Sequence, residues 1–254
     1  GGCHPSEAQA LKAYLRRQTT PTEAARAITR FASASSDPRE ELHHLWGLLQ
    51  DALMELSSEQ LEPLIALLQA IETLPDPDTI AMSNHSGKRF WRGSPGFANL
   101  WADMSPSYAW RRIVEHTSGE RRDELRAYRV RRAEVEARCV NADLAGVTID
   151  WGYEVVADAL ESSNALLDFE VPASVQWLVV CGRRFRDGAR RGGRSWGLKK
   201  GDREPLRDLW TTVDEEVMSV ERWGFWKERL RTLQYDPVIV KDSRRALEAI
   251  SDEC

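Results

Sequence analysis

At Thr20-Pro21, Asp37-Pro38, Ser105-Pro106 and Asp236-Pro237 a side chain able to cap a helix is followed directly by proline. A proline at the first helical position has no N–H to leave unsatisfied, and the residue before it caps the free amides of the first turn. Glu23 and Glu40 add a carboxylate at the third helical position of the first two starts, completing a capping-box signature. A chain that signals helix starts this often is constrained to a helical fold. Helices are expected near 5–18, 21–34, 38–56, 59–74, 97–116, 119–145, 150–162, 172–186, 205–217, 219–234 and 237–252.

Periodicity supports this reading. Leu42, Leu45, Trp46, Leu49, Ala52, Leu53 and Leu56 recur at spacings of three and four and form one broad apolar face. Two β-branched runs, Val147–Ile149 and Val238–Val240, are short enough to be strands or helix starts, and no hairpin signals surround them. A Pro/Gly/Ser-rich stretch joins Leu74 to Gly96 and a Gly/Arg-rich one joins Arg186 to Glu204, both longer than ordinary connections. The expected architecture is all-α: a single multi-helix domain with a Trp-rich core and about ten or eleven helices. Within it, 1–74 forms an N-terminal helical subdomain, 75–96 a long loop and 97–254 the Trp-rich core, with 187–204 a basic flexible loop.

Ten tryptophans among 254 residues set a demanding packing problem, because each indole has a large apolar body and one N–H to satisfy. Net charge is −5, but Gly182–Gly201 holds Arg183, Arg184, Arg186, Arg190, Arg191, Arg194, Lys199 and Lys200 against Asp187 alone. That segment carries +7 and leaves the remainder at −12. An acidic body with one basic segment is unlike a generally basic nucleic-acid binder, so any anion contact is local. Cys3, Cys139, Cys181 and Cys254 show no C-x-x-C spacing, which argues against a zinc site or a disulfide framework. The apolar run around Val175–Cys181, interrupted by Gln176, is far short of the roughly 20 residues of a membrane span. A secretory leader is not expected, and the default is an intracellular protein, cytoplasmic or nuclear, with reduced thiols and no membrane contact.

Signatures of common chemistries are missing: there is no H-E-x-x-H and no Gly-Lys-Ser/Thr loop. Adjacent His43 and His44 should diverge by about 100° on a helix, so no metal or cofactor is expected. The eight basic residues of Gly182–Gly201, interleaved with Phe185 and Trp196, have the composition of an anion-binding loop; the same composition also describes a solvated loop without a ligand. Leu125, Tyr128, Arg132, Val135, Cys139 and Ala142 follow a 3-4-3-4-3 spacing, a narrow seam for intramolecular packing or for a homodimer through the helix near 119–145. In SVERWGFWKERL, with Ser219 as cap, Val220, Trp223, Trp226, Leu230 and Leu233 form one arc that contains Lys227, while Phe225 points away.

Three segments, LWGLLQDAL from Leu45, VPASVQWLVVCG ending at Gly182, and LWTTVDEEVMSVERWGFWKERLRTL, resemble a fungal family of uncharacterised helical proteins catalogued as domain of unknown function 3632. The resemblance runs from about Leu11 to Ile250, is most specific in the Trp-Phe-Trp-Lys helix, and departs in the charged helix near 119–145 and in Gly182–Gly201. It implies a helical fold and a fungal, intracellular setting, and no activity. Two function classes remain open. One is an interaction or regulatory protein using the basic loop and the charged helix, with a protein partner. The other is an enzyme of fungal specialised metabolism with an indole-lined pocket at Trp177 and Trp223, catalytic candidates Lys227, Glu221 and Gln176, and a phosphate-bearing or RNA-linked substrate held by the arginines.

Overall fold

The computed structural model describes residues 3–78, 89–104, 110–200 and 206–251. Among them are twelve α-helices and two short 3-10 turns, with one isolated β-bridge, Arg194 to Val217. The protein is all-α. Val147–Ile149 and Val238–Val240 are turns running into helix starts. The chain divides into two compact units, residues 1–107 with 142–147, and residues 108–141 with 148–254.

The first unit contains α1 (Pro5–Leu15), α2 (Pro21–Ile28), α3 (Arg30–Ala34), α4 (Pro38–Glu55), α5 (Leu61–Glu72) and α6 (Phe97–Asp103). The proline starts operate at α2 and α4: the Glu23 amide donates to the Thr20 hydroxyl while Glu23 accepts from the Thr20 amide, and Asp37 accepts from the Arg39 amide. The expected helix over 21–34 is two helices, because the Thr29 hydroxyl donates back to the Ala25 carbonyl and the chain bends there. The long expected helix over 97–116 is represented by α6 and, in the second unit, α7 (Trp110–Glu115); the Ser105-Pro106 start between them lies outside the described residues. Trp46, Trp91, Phe97 and Trp101 are fully buried, and the Trp46 and Trp91 indoles donate to the carbonyls of Pro95 and Pro75. Buried Glu72 accepts from the Gly93 amide, the Ser94 hydroxyl and the Ala145 amide, drawing three segments together.

The second unit contains α7, α8 (Gly119–Asn141), α9 (Ile149–Leu160), α10 (Leu167–Arg191), α11 (Val220–Leu233) and α12 (Val240–Ser251). Helix α10 lies against α8, α9, α11 and α12, so it is the axis of the unit. Its apolar side buries Trp177, Leu178, Cys181, Phe185 and Ala189. Tyr153, Phe185 and Trp226 meet at centroid distances of 5.0–6.4 Å, and Trp223 lies edge-on to Trp226 at 6.2 Å.

Two expected elements of this unit differ from what is found. Helix α10 begins five residues before Pro172 and ends five residues after Arg186. Its glycines are packing contacts, not breaks: a Cβ at Gly188 would run into the Tyr153 hydroxyl, and one at Gly152 on α9 would run into the Trp177 ring. The helix stops only at Gly192, whose φ of 60° gives a left-handed C-cap. Residues 187–191 of the expected flexible loop are therefore helical. The helix expected over 205–217 is absent among the described residues there. Arg207 has a left-handed backbone and a side chain drawn inward, and Asp208 accepts from the Ser163 amide and hydroxyl.

Candidate functional site

The irregular segment after Gly192 is held by two buried arginines. Arg222, in the first turn of α11, donates to both carboxylate oxygens of Glu161 at 2.6 and 2.7 Å and to the carbonyls of Glu215, Val217 and Leu198. Glu161 also accepts from the Trp226 indole at 2.6 Å. Arg207 pairs with Asp158 and donates to the carbonyls of Gly197, Lys199 and Glu154. A guanidinium offers five donors in a fixed plane, so one side chain can satisfy several carbonyls that no helix or sheet pairs. Ser195 completes the arrangement, donating to Asp150 at 2.5 Å while its amide donates to the Glu216 carbonyl.

This framework fixes where the basic residues stand. Arg183, Arg190, Arg191, Arg194 and Lys199 are exposed, and Arg184, Arg186 and Lys200 are half-buried. Arg194 is neutralised by Asp214 and Glu216 at 2.6 and 3.2 Å, and Arg184 donates to the Asn141 carbonyl. Trp196, between the end of α10 and Lys199, is 54% exposed although both neighbouring residues, Ser195 and Gly197, are buried.

The remaining candidates do not converge. Trp177 and Trp223 are buried in the aromatic cluster, and the Trp177 Nε1 has no acceptor among the described residues. Gln176 donates back to Pro172 on its own helix at 3.3 Å. Glu221 is exposed in the first turn of α11, where its own amide and the Ser219 hydroxyl hold its carboxyl below the usual range. Lys227 is half-buried. In its arc Trp223, Trp226, Leu230 and Leu233 are buried but Val220 is exposed, and Phe225 packs on Trp210 at 5.3 Å. On α8 the seam buries Val135 and Cys139 within the unit, whereas Leu125, Tyr128 and Arg132 are half-buried. The His43 and His44 rings do not diverge as expected; their centroids are 3.8 Å apart. Among the described residues no group of three His, Cys, Asp or Glu is placed to hold a metal ion, and no helix is long and apolar enough to cross a membrane.

A second charged assembly escaped the sequence reading. Arg111 of α7 bridges to Glu170 of α10 and donates to the Asn164 carbonyl. Arg129 of α8 lies over the Trp110 ring at 3.9 Å, and Arg132 pairs with Glu136 at 2.9 Å. Asp158 of α9, already paired with Arg207, and Glu154 one turn before it complete the group. Burial pushes the Glu170 carboxyl up to about 7 against the pull of Arg111. Burial likewise raises Glu154 and Asp158 and lowers Arg129. Their spacings, Arg129–Arg132–Glu136 and Glu154–Asp158, are ordinary one-face helical spacings, and such patterns usually mark a solvated face. Only the packing of α7, α8, α9 and α10 turns them toward one another.

The family model described as "Protein of unknown function (DUF3632)" matches residues 46–230, and the chain belongs to that family. No curated protein and no solved structure matches it. Family membership assigns no reaction, so function must be argued from the sites themselves.

Proposed function

We propose that this is an intracellular interaction protein whose binding surface is the exposed end of α10 together with Trp196, and that it takes an acidic protein segment as partner. The observation that carries the reading is Trp196, a large aromatic side chain 54% exposed on a backbone held by buried Ser195, Arg207 and Arg222. An exposed aromatic on ordered backbone binds without first losing much conformational entropy, and aromatic anchors dominate interface energetics. Arg190, Arg191 and Lys199 flank it in sequence and are exposed, so the complement is an acidic segment with an apolar side chain for the indole. The indole-pocket enzyme has less support, because Trp177 is enclosed by its own helices and Gln176 is turned back on α10.

Fluorescence anisotropy with a labelled Glu-rich peptide carrying Leu and Phe, set beside single-stranded RNA of equal length, tests this. The peptide should bind more tightly than the RNA, and Trp196→Ala and the double variant Arg190→Glu/Arg191→Glu should each weaken it about tenfold or more. Preference for RNA with a steep salt dependence would instead establish nucleic-acid binding through the arginines. Equal affinity in wild type and variants would discard this surface.

A further inference from the structure

The backbone after Gly192 runs beside the segment that precedes α11. Antiparallel pairing joins Arg194 to Val217: the Ser195 amide donates to the Glu216 carbonyl and the Met218 amide to the Gly193 carbonyl, both at 2.8 Å, while Arg222 donates to the carbonyls of Glu215 and Val217. These bonds come from the backbone and from Arg222, so the segment does not need the charges of Asp214 and Glu216 to hold its place. Their carboxylates are nevertheless turned onto the basic strip. Asp214 accepts from both terminal nitrogens of Arg194 at 2.6 and 3.1 Å, Glu216 accepts from Nη2 of the same arginine at 3.2 Å, and the Glu215 carboxylate accepts from the Lys200 amide at 3.3 Å.

Three consecutive acids thus set −3 against the +5 of Arg190, Arg191, Arg194, Lys199 and Lys200. Their contact is uneven. Arg194 is held in a bidentate fork, the geometry in which an exposed pair counts, whereas Arg190, Arg191 and Lys199 are exposed and form no ion pair among the described residues. Val213, directly before the acids, is fully exposed, and Trp196 is exposed as well. Val213–Glu216 therefore has the chemistry of the proposed partner, an apolar side chain followed by acids, but it engages the surface through its charges and leaves the indole open. An acid fixed beside its cation competes at high effective concentration with any acid arriving from solution.

We propose, resting on the acidic-partner reading above, that Asp214 and Glu216 form an autoinhibitory contact that withholds Arg194 from the partner. While the contact is closed, affinity depends on Trp196, Arg190, Arg191 and Lys199. A ligand recognised by charge alone has to displace a bidentate pair to gain Arg194, whereas a segment that also covers the indole gains affinity at a position the internal acids leave open. The contact therefore acts against purely acidic competitors, as repulsive elements do in other selective interfaces.

Fluorescence anisotropy on the full chain, with the labelled Glu-rich peptide carrying Leu and Phe, tests the contact. Asp214→Asn/Glu216→Gln should tighten binding about fivefold, the scale of two exposed pairs released. Adding Arg194→Gln to that variant should return affinity to within about twofold of wild type, because the gain runs through the freed guanidinium. Binding seen only in the neutralised protein would show a fully closed contact and support the proposal. Asp214→Asn alone, which removes the bidentate pair, serves if the double variant does not fold, and slow hydrogen exchange at the Ser195 and Met218 amides reports that the backbone pairing is intact. If the wild type binds the peptide and neutralisation leaves its affinity unchanged, the contact is overturned while the binding surface stands. A gain that survives Arg194→Gln would also overturn it, since lost repulsion alone would then account for the change. No peptide binding by either protein would overturn the surface and the contact together.

Discussion

Arg222 makes five hydrogen bonds from a buried position, two to Glu161 and three to backbone carbonyls. Removing the guanidinium would leave a buried carboxylate and three carbonyls short of donors, and breaking a buried pair from one side costs about 3–5 kcal/mol. Arg222→Met should lower the urea unfolding free energy by that order, with a smaller loss in a Glu161→Gln background, where no buried charge is left behind. Gly188 allows a sharper test. Alanine is the better helix former, yet its Cβ would meet the Tyr153 hydroxyl, with the ring carbon behind it at 3.5 Å. Overpacking of this kind costs about 1–3 kcal/mol and outweighs the roughly 1 kcal/mol gain in propensity. Gly188→Ala should therefore destabilise the wild type and be neutral or stabilising with Tyr153→Phe, as measured by thermal unfolding of the four-member cycle. The thiols differ by environment: burial pushes Cys181 up to about 12, Cys139 is also buried and Cys3 is partly accessible. Maleimide should label Cys3 in the folded protein and reach Cys139 and Cys181 only after unfolding.

At the scale of elements, the capped proline starts of α2 and α4 were legible in the sequence, whereas both ends of α10 were not, and the last helix begins at Val240, three residues after Pro237. A cap and a proline are local chemistry, so Thr20-Pro21 and Asp37-Pro38 mark α2 and α4 at the right residues. Asp37→Ala should cost about 1 kcal/mol of stability, visible as a shift in the denaturant midpoint with unchanged slope. The end of α10 could not be read that way, because Gly188 looks identical in sequence whether it breaks a helix or admits a tyrosine hydroxyl. The missing helix over 205–217 has a similar cause: Arg207 is an ordinary helix former until its side chain is required by Asp158 and three carbonyls from other segments. The basic residues of Gly182–Gly201 were legible as a surface feature, whereas the cluster around Arg129 was not. Its charges come from four helices and have normal spacing on each, so nothing short of tertiary packing distinguishes them from a solvated face.

For the molecule as a whole, stability depends on pH through buried acids. Glu170 is raised by burial to about 7 from an ordinary value of 4.5, held from rising further by Arg111 and Arg129 and pushed up by Asp158. An acid raised on folding binds its proton more tightly in the native state, so stability is greatest below pH 4.5 for this group and falls as pH rises toward 7. The change is worth up to about 3 kcal/mol. Glu154 and Asp158, shifted in the same direction, steepen the slope, and Glu170→Gln should flatten it in urea titrations between pH 5 and 7.5. The claim on which the proposed function rests is that the segment after Gly192, basic and glycine-rich in sequence, is an ordered platform for Trp196. Amide hydrogen exchange measures this directly. The amides of Ser195, Gly197, Leu209 and Met218 donate to the Glu216 carbonyl, the Ser195 hydroxyl, the Glu161 carbonyl and the Gly193 carbonyl. They should exchange at least a hundredfold more slowly than an unstructured chain, an opening free energy of about 3 kcal/mol, and should lose that protection in Arg222→Met. Exchange at the unstructured rate across these four amides in the wild-type protein would contradict the account.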